Sequence, residues 1–130
     1  MNRVDILIAV DVLGALSAGT LQGNVYLMDT NHYLGSWQEG QGALNTVCQD
    51  GQAVTWSVTP VDAATQIAIS KFSGPMVDGK VCLPTEDPFA GNSIWNGIIE
   101  TQGAFANYAY TVSVVMNAVT MTFESNVKVV

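Results

Sequence analysis

Residues 108–124 read YAYTVSVVMNAVTMTFE, in which two runs of alternating apolar and polar side chains flank Asn117-Ala118. Such alternation is typical of strands that bury one face. Asn tolerates the positive φ of a two-residue hairpin turn, but Ala resists it, so a loop of about three or four residues fits equally well. The stretch predicts two consecutive strands that pair with each other.

The same alternation recurs along most of the chain. It is clearest where Val54, Trp56 and Val58 alternate with polar residues, which predicts a core position for Trp56 and likewise for Trp95. Further runs are found at residues 4–10, 25–27, 67–70, 95–99 and 127–129. About eight short strands, with turns roughly every ten residues, predict a single all-β domain over residues 1–130. An antiparallel β-sandwich of jelly-roll or Ig-like type is favoured, and a barrel is the alternative.

Two Asp-Gly dipeptides, Asp50-Gly51 and Asp78-Gly79, predict hairpin turns, because Gly accepts the positive φ of a type I′ turn. The first hairpin would place Cys48 opposite Ala53, with the Cys48 side chain pointing away from the face that carries Trp56. The scarcity of lysine leaves the predicted strand edges without their usual protection, so edge-to-edge association is expected.

The remaining segments differ from the alternating runs in composition. The hairpin predicted at Asp78-Gly79 would pair Met76 with Val81. Residues 12–20 are poor in strand formers and predict one helical turn. Residues 29–43 and 84–93 are rich in Gly, Asn or Pro and predict long loops.

The charge composition excludes several classes of partner. The 130 residues hold eleven carboxylates and four basic side chains, for a formal net charge of −7. Nucleic-acid binding and docking on anionic membranes both need clustered Lys and Arg. The cations Arg3, Lys71, Lys80 and Lys128 are scattered along the chain, so neither partner is predicted. Because only 12% of residues are charged, self-association is expected, above all near the pI of about 4.1.

The chain is predicted to be cytoplasmic. The apolar run at residues 6–10 is shorter than a signal-peptide core of about 7–15 residues, and no run approaches the roughly 20 apolar residues of a membrane span. Two cysteines, Cys48 and Cys82, are too few for a disulfide framework and are predicted to be reduced and buried.

The sequence contains few residues suited to catalysis or to metal binding. His32 is the one histidine, no G-x-S-x-G motif is present, and no spacing selects a pair of carboxylates, so no catalytic residue is predicted. A blue-copper site needs two histidines. Calcium takes oxygen ligands from loops, and the candidates in loop-like sequence are Asp29, Asn31, Glu39, Glu86 and Asp87. They lack EF-hand spacing and are interpreted as solvated loop residues, so neither a metal nor a cofactor is predicted.

Residues 29–43 are the best local candidate for a ligand site. They combine two aromatic rings with an imidazole, an amide and a carboxylate between glycines, as His32, Tyr33, Trp37, Gln38 and Glu39. Such a set suits sugars, small aromatic molecules or protein partners. The alternative is that the two aromatic rings pack as a lid on one end of the sandwich.

Five segments carry a family resemblance: VDILIAVD at 4–11, VYLMDTN at 25–31, GSWQEG at 35–40, CQDGQAVTW at 48–56 and MTF at 121–123. Together they resemble the AidA/PixA inclusion-body protein family of Gram-negative bacteria, over most of the chain. The pattern departs at Glu124-Ser125, where members often carry Asp-Pro, and some relatives are longer after the first strand.

The resemblance implies a cytoplasmic protein that accumulates to high levels, sometimes in inclusions, with expression linked to stationary phase or quorum sensing. It brings no catalytic residues. The leading hypothesis is therefore a non-enzymatic, self-associating accumulation protein. A small-molecule or carbohydrate binding module acting through residues 29–43 is the alternative, and a small enzyme is favoured least.

Overall fold

Two β-sheets and two short helices make up the described part of the protein, in a computed structural model that describes residues 3–30, 44–61, 66–88, 91–103 and 105–130. The strands are β1 (Val4–Val10), β2 (Val25–Asp29), β3 (Asn45–Cys48), β4 (Ala53–Pro60), β5 (Ile67–Ser73), β6 (Thr85–Asp87), β7 (Gly91–Ile98), β8 (Ala106–Met116) and β9 (Val119–Val129). The helices are α1 (Val12–Ala18) and α2 (Pro75–Asp78).

The strands form a five-stranded sheet in the order β2-β1-β4-β7-β6 and a four-stranded sheet in the order β3-β9-β8-β5. Aromatic rings from both sheets meet between them, so the predicted β-sandwich is confirmed. The prediction of antiparallel pairing throughout is wrong, because β1 pairs with β4 and β3 with β9 in parallel. Parallel neighbours need a long connection, and here the chain forms β3 in the second sheet before it returns to the first as β4. The jelly-roll or Ig-like assignment stays a prediction.

The turn at Asp50-Gly51 connects the two sheets, and the predicted hairpin is wrong. β3 precedes the turn in the four-stranded sheet, and β4 follows it in the five-stranded sheet. Gly51 has the expected positive φ of +86°, but a tight turn satisfies this local requirement whichever strands it joins. Cys48 consequently belongs to the same buried cluster as Trp56, and its predicted outward orientation is wrong as well.

The second Asp-Gly dipeptide ends a helix, so its predicted hairpin is also wrong. Helix α2 has Gly79 as its C-cap, and the next residue, Lys80, takes a φ of +57°. Val81 N–H donates to the Met76 carbonyl and Lys80 N–H to the Val77 carbonyl, both at 3.0 Å. These paired bonds define a Schellman motif, which explains why Met76 and Val81 are close without forming a ladder.

The turn between β8 and β9 is the shorter of the two alternatives that the sequence left open. Asn117 and Ala118 take φ values of +48° and +64°, and Met116 pairs directly with Val119. Elsewhere, residues 12–20 contain the seven-residue helix α1, which is longer than the single turn predicted. The loop predicted at residues 84–93 is wrong, because β6 and the start of β7 lie there.

The core lies between the sheets and is centred on aromatic side chains. Trp56 is fully buried, and its Nε1–H donates to the Tyr110 hydroxyl at 3.3 Å. Phe72 lies with its ring centroid 5.0 Å from that of Trp56 and 5.4 Å from that of Trp95. The predicted core position of Trp56 is thus confirmed, and Trp95 packs against the core while partly buried.

Candidate functional site: the outer face of the five-stranded sheet

The ligand site predicted from sequence falls outside the described residues. This applies to all five of its members, His32, Tyr33, Trp37, Gln38 and Glu39. The hypothesis that they bind a ligand stays a prediction. Only the start of the 29–43 segment is described, and there Asp29 is the buried last residue of β2.

The residues considered for calcium are not brought together where the structure describes them. Asp29 ends β2, whereas Glu86 and Asp87 lie on β6, and these two strands form opposite edges of the five-stranded sheet. Asn31 and Glu39 lie outside the described ranges. Within those ranges, no group of three or more His, Cys, Asp and Glu side chains is placed to hold a metal ion.

The two thiols are part of the core. Cys48 and Cys82 are free and almost completely buried, as predicted. Burial raises the pKa of the Cys48 thiol to about 12, and burial followed by the nearby Glu100 carboxylate raises the pKa of Cys82 to about 12. A thiol is a nucleophile only as the thiolate, so neither side chain is suited to covalent catalysis.

One half of the outer face of the five-stranded sheet is apolar. Leu7 and Met28 are direct cross-strand partners on β1 and β2, as are Ala9 and Tyr26. Leu7, Tyr26 and Met28 are 36%, 40% and 44% exposed. Because direct partners on one face touch each other, these four residues form a continuous surface, which we call the apolar half.

The other half of this face carries a groove of about 670 Å³ above β4 and β7. Polar and apolar side chains both line it, among them Arg3, Thr55, Lys80, Leu83, Ile98 and Glu100, and we call it the basic groove. Thr55 Oγ1 donates to Asn96 Oδ1 at 2.7 Å, and Asn96 Nδ2 donates to Asp87 Oδ2 at 3.2 Å. These bonds hold the polar floor of the basic groove in one arrangement.

Local structure positions the two cations of the basic groove. Arg3 Nε donates to Asp5 Oδ1 at 2.8 Å in an ion pair whose side chains are 60% and 47% exposed, which favours a guanidinium position next to the start of β4. Lys80 occupies the left-handed position of the Schellman motif, where Gly is the usual residue. The side chain of Lys80 therefore leaves the helix end in a direction that the backbone determines.

The basic groove offers binding groups rather than catalytic ones among the described residues. Cys82 borders it, but the thiol is 1% exposed and its pKa is raised. Outside this groove, Asp50 has its pKa lowered, chiefly by the backbone N–H of Thr101, which donates to the carboxylate at 2.7 Å and gives this group a structural role. Positive charge, amide and hydroxyl groups and exposed apolar carbon remain for recognition.

Sequence reasoning missed the basic groove because its residues come from distant parts of the chain. Arg3 and Lys80 count among cations that are scattered in sequence, and only the pairing of β1 with β4 and of β4 with β7 brings their segments together. The one available signal was the small number of basic residues, because two basic side chains that line the same groove are notable in so acidic a chain.

Comparisons with known proteins address the fold and the family. The fold is similar to the crystal structure of an inclusion body protein, PixA, from Burkholderia cenocepacia J2315, with a TM-score of 0.76. The sequence identity is 11%, and the match covers 99% of this chain and 96% of that chain. At this identity the likeness concerns the fold, and at that level the predicted resemblance to the AidA/PixA family is confirmed.

Neither described helix is long and apolar enough to cross a membrane. None of the curated proteins matches the sequence. A family model described as "Domain of unknown function (DUF8788)" matches residues 2–122. Since this match spans most of the chain, the protein belongs to the DUF8788 family.

Proposed function

We propose that the protein is a non-enzymatic accumulation protein of the inclusion-body type, which assembles with copies of itself. The observation that carries the proposal is the apolar half, where Leu7, Tyr26 and Met28 expose large apolar side chains on adjacent strands. Contiguous exposed apolar surface of this kind marks contact sites. The fold likeness to an inclusion body protein supports the same conclusion.

The edge strand beside the apolar half adds support. Among the described strands, β2 pairs only with β1, and its five residues include no Lys, Pro or bulge to discourage further pairing. By contrast, β5 carries Lys71 and a register shift, and the other two edge strands are short, with three residues in β6 and four in β3. The contact between copies is therefore expected at β2 and the apolar half.

The setting of the accumulation is a further part of the proposal. We place it in the bacterial cytoplasm, in stationary phase or under quorum sensing, because the AidA/PixA resemblance implies this setting. The two free, buried cysteines are compatible with a reducing compartment. Following the amount and location of the protein through growth in its source bacterium tests this part.

Self-association is measured by sedimentation and light scattering across concentration and pH. We expect oligomers at high concentration, increasing as the pH falls towards the pI of about 4.1, because the net negative charge then decreases. Met28→Lys is expected to reduce association at least tenfold, since a lysine on an edge strand opposes pairing. Thr122→Lys is the matched control, because it adds the same charge to an exposed position of β9.

Two results would contradict the proposal. One is a protein that stays monomeric at all concentrations from about pH 4 to about pH 8, a range that begins near the pI of about 4.1. The other is an equal loss of association in Met28→Lys and Thr122→Lys, which would assign the effect to net charge and not to the apolar half.

A binding module acting through residues 29–43 is the second candidate, supported by the aromatic and amide residues gathered there in sequence. The double substitution Tyr33→Ala and Trp37→Ala is expected to abolish binding in a glycan and small-molecule screen. Circular dichroism of the same variant checks that the fold is kept. Unchanged binding would end this hypothesis.

A further inference from the structure

We propose that the basic groove binds a small amphipathic monoanion, a carboxylate carried on an apolar body. Two of the four basic side chains of the protein, Arg3 and Lys80, line this one groove in a chain with a net charge of −7. In such a chain, positive charge is the rarest surface feature. Its convergence around a groove of about 670 Å³, a size typical of ligand pockets, points to an anion as the occupant.

The Arg3 side chain is arranged to receive a carboxylate. Its one ion-pair contact in the described residues runs from Nε to Asp5 Oδ1 at 2.8 Å. The two terminal nitrogens are thus left for an incoming group, and they are the donors that bind carboxylates in a fork. The exposed ion pair with Asp5 favours this orientation of the guanidinium.

Lys80 is retained at a backbone position that glycine would occupy with less strain. Its φ of +57° is the left-handed position of the Schellman motif. Within the described residues its ammonium group forms no ion pair. The helix end accounts for the backbone conformation, whereas no ion pair in the described residues accounts for the ammonium group at the rim of the groove.

Apolar side chains in the same groove define the other part of the ligand. Leu83 and Ile98 are 54% and 52% exposed, so each leaves a large apolar area in water. Covering this area with an apolar ligand body is favourable. An inorganic anion would leave it uncovered, which favours a ligand with both a charge and an apolar portion.

The acidic neighbours limit the charge that the groove accepts. Glu100 lines the groove and Asp5 pairs with Arg3. Among the charged lining residues, Arg3 and Lys80 exceed Glu100 by one positive charge, which Asp5 offsets by pairing with Arg3, so a phosphate group with two negative charges would exceed what the groove can neutralise. A monocarboxylate matches the groove best.

The test uses 1-naphthoate as the probe and 1-naphthylmethanol as its neutral counterpart, both titrated against the full chain and followed by NMR. We expect 1-naphthoate to bind about three- to tenfold more tightly, the range of one or two exposed ion pairs. The largest shifts are expected at residues 80–85 and 96–98. Equal affinities for the two probes, or shifts confined to other regions, would overturn the proposal.

Two variants that change the charge of the groove in opposite directions test which residues cause the preference for 1-naphthoate. Lys80→Gly is expected to reduce the preference for 1-naphthoate about threefold without lowering the melting temperature, because one exposed charge is lost, Arg3 remains and Gly suits the left-handed position. Glu100→Gln is expected to tighten 1-naphthoate binding about threefold, the scale of one exposed charge. Lys71→Gln is the control, since Lys71 is exposed on β5 and does not line the groove. An undiminished preference in Lys80→Gly, or an equal decrease in Lys71→Gln, would refute the assignment.

Discussion

The inner and outer faces of the five-stranded sheet come from the same strands and meet different surroundings. On β1, Ile6 and Ile8 are fully buried, whereas Leu7 between them is 36% exposed. The inner face packs against the four-stranded sheet, so the shapes of its side chains are constrained by close packing. The outer face has no such constraint and is divided into an apolar half and a basic groove. In the five-stranded sheet, the inner face of a strand therefore stabilises the fold, whereas close packing does not constrain the side chains of the outer face.

Truncating one side chain on each face to alanine is expected to give the largest difference in the free energy of unfolding between the two faces. Ile8→Ala and Leu7→Ala truncate isomeric side chains at adjacent positions of β1. Ile8→Ala is expected to lower the free energy of unfolding by about 3–4 kcal/mol, because it opens a cavity in the core. Leu7→Ala is expected to lower it by less than about 1 kcal/mol, because Leu7 is already partly exposed. Urea denaturation followed by tryptophan fluorescence measures both, and similar losses would contradict the contrast.

Alkaline pH is expected to weaken the core. Burial raises the pKa of Cys48 and Cys82 from 9.0 to about 12, and that of Tyr110 from 10.0 to about 12. Because each folded-state pKa is raised, the stabilisation is complete below the unfolded value and is lost as the pH rises towards the folded value. Between about pH 8 and about pH 10 the two thiols together account for roughly 3 kcal/mol of lost stability.

The measurement is a series of urea denaturation curves at increasing pH. Cys48→Ala, compared with the parent chain at each pH, is expected to lose less stability between the two ends of the range, because one titrating group is gone. A free energy of unfolding that stays constant from about pH 8 to about pH 10 would show that the thiols do not remain protonated in the folded state.

Gly97 on β7 gives the next expected effect on stability. A Cβ at residue 97 would overlap Cys82 Sγ, which packs directly against this strand. Gly97→Ala is therefore expected to destabilise the protein by about 1–3 kcal/mol through overpacking. Adding Cys82→Ala is expected to restore part of the loss, and a double-mutant cycle measures this coupling. Strict additivity of the two changes would contradict the contact.

The smallest expected change in stability is at the turn between β8 and β9, which belongs to neither face of the five-stranded sheet. Ala118 has a φ of +64°, which a Cβ makes unfavourable. Ala118→Gly is expected to raise the free energy of unfolding by about 0.5–1 kcal/mol, because Asn-Gly is the preferred pair for this turn. Asn117→Gly provides a comparison at the other turn position, and a destabilised Ala118→Gly variant would contradict the two-residue geometry.

Local patterns predicted the strands and the core well. The alternation around Trp56 and along residues 108–124 reports which face is buried, and both assignments agree with the structure. Turn chemistry was less informative. Asp50-Gly51 and Asp78-Gly79 meet the same backbone requirement in a sheet-to-sheet connection and in a helix end as they would in a hairpin.

Pairings between distant segments account for what the sequence did not show. The parallel partners of β1 and β3 depend on contacts that no local pattern records. The basic groove follows from those pairings, so Arg3 and Lys80 give no joint signal in the sequence. The left-handed conformation of Lys80 is likewise imposed by the end of α2 and is not a preference of lysine.

The parallel pairing of β3 with β9 has a consequence for the order of events on the ribosome. Thr46 pairs with Val127, so β3 emerges long before the strand that completes its sheet. Until β9 is made, the side chains of Thr46, Val47 and Cys48, which are buried in the finished fold, lack their cover. The four-stranded sheet therefore cannot be completed until β9 has been synthesised, and β3 must remain without its partner strand over most of translation.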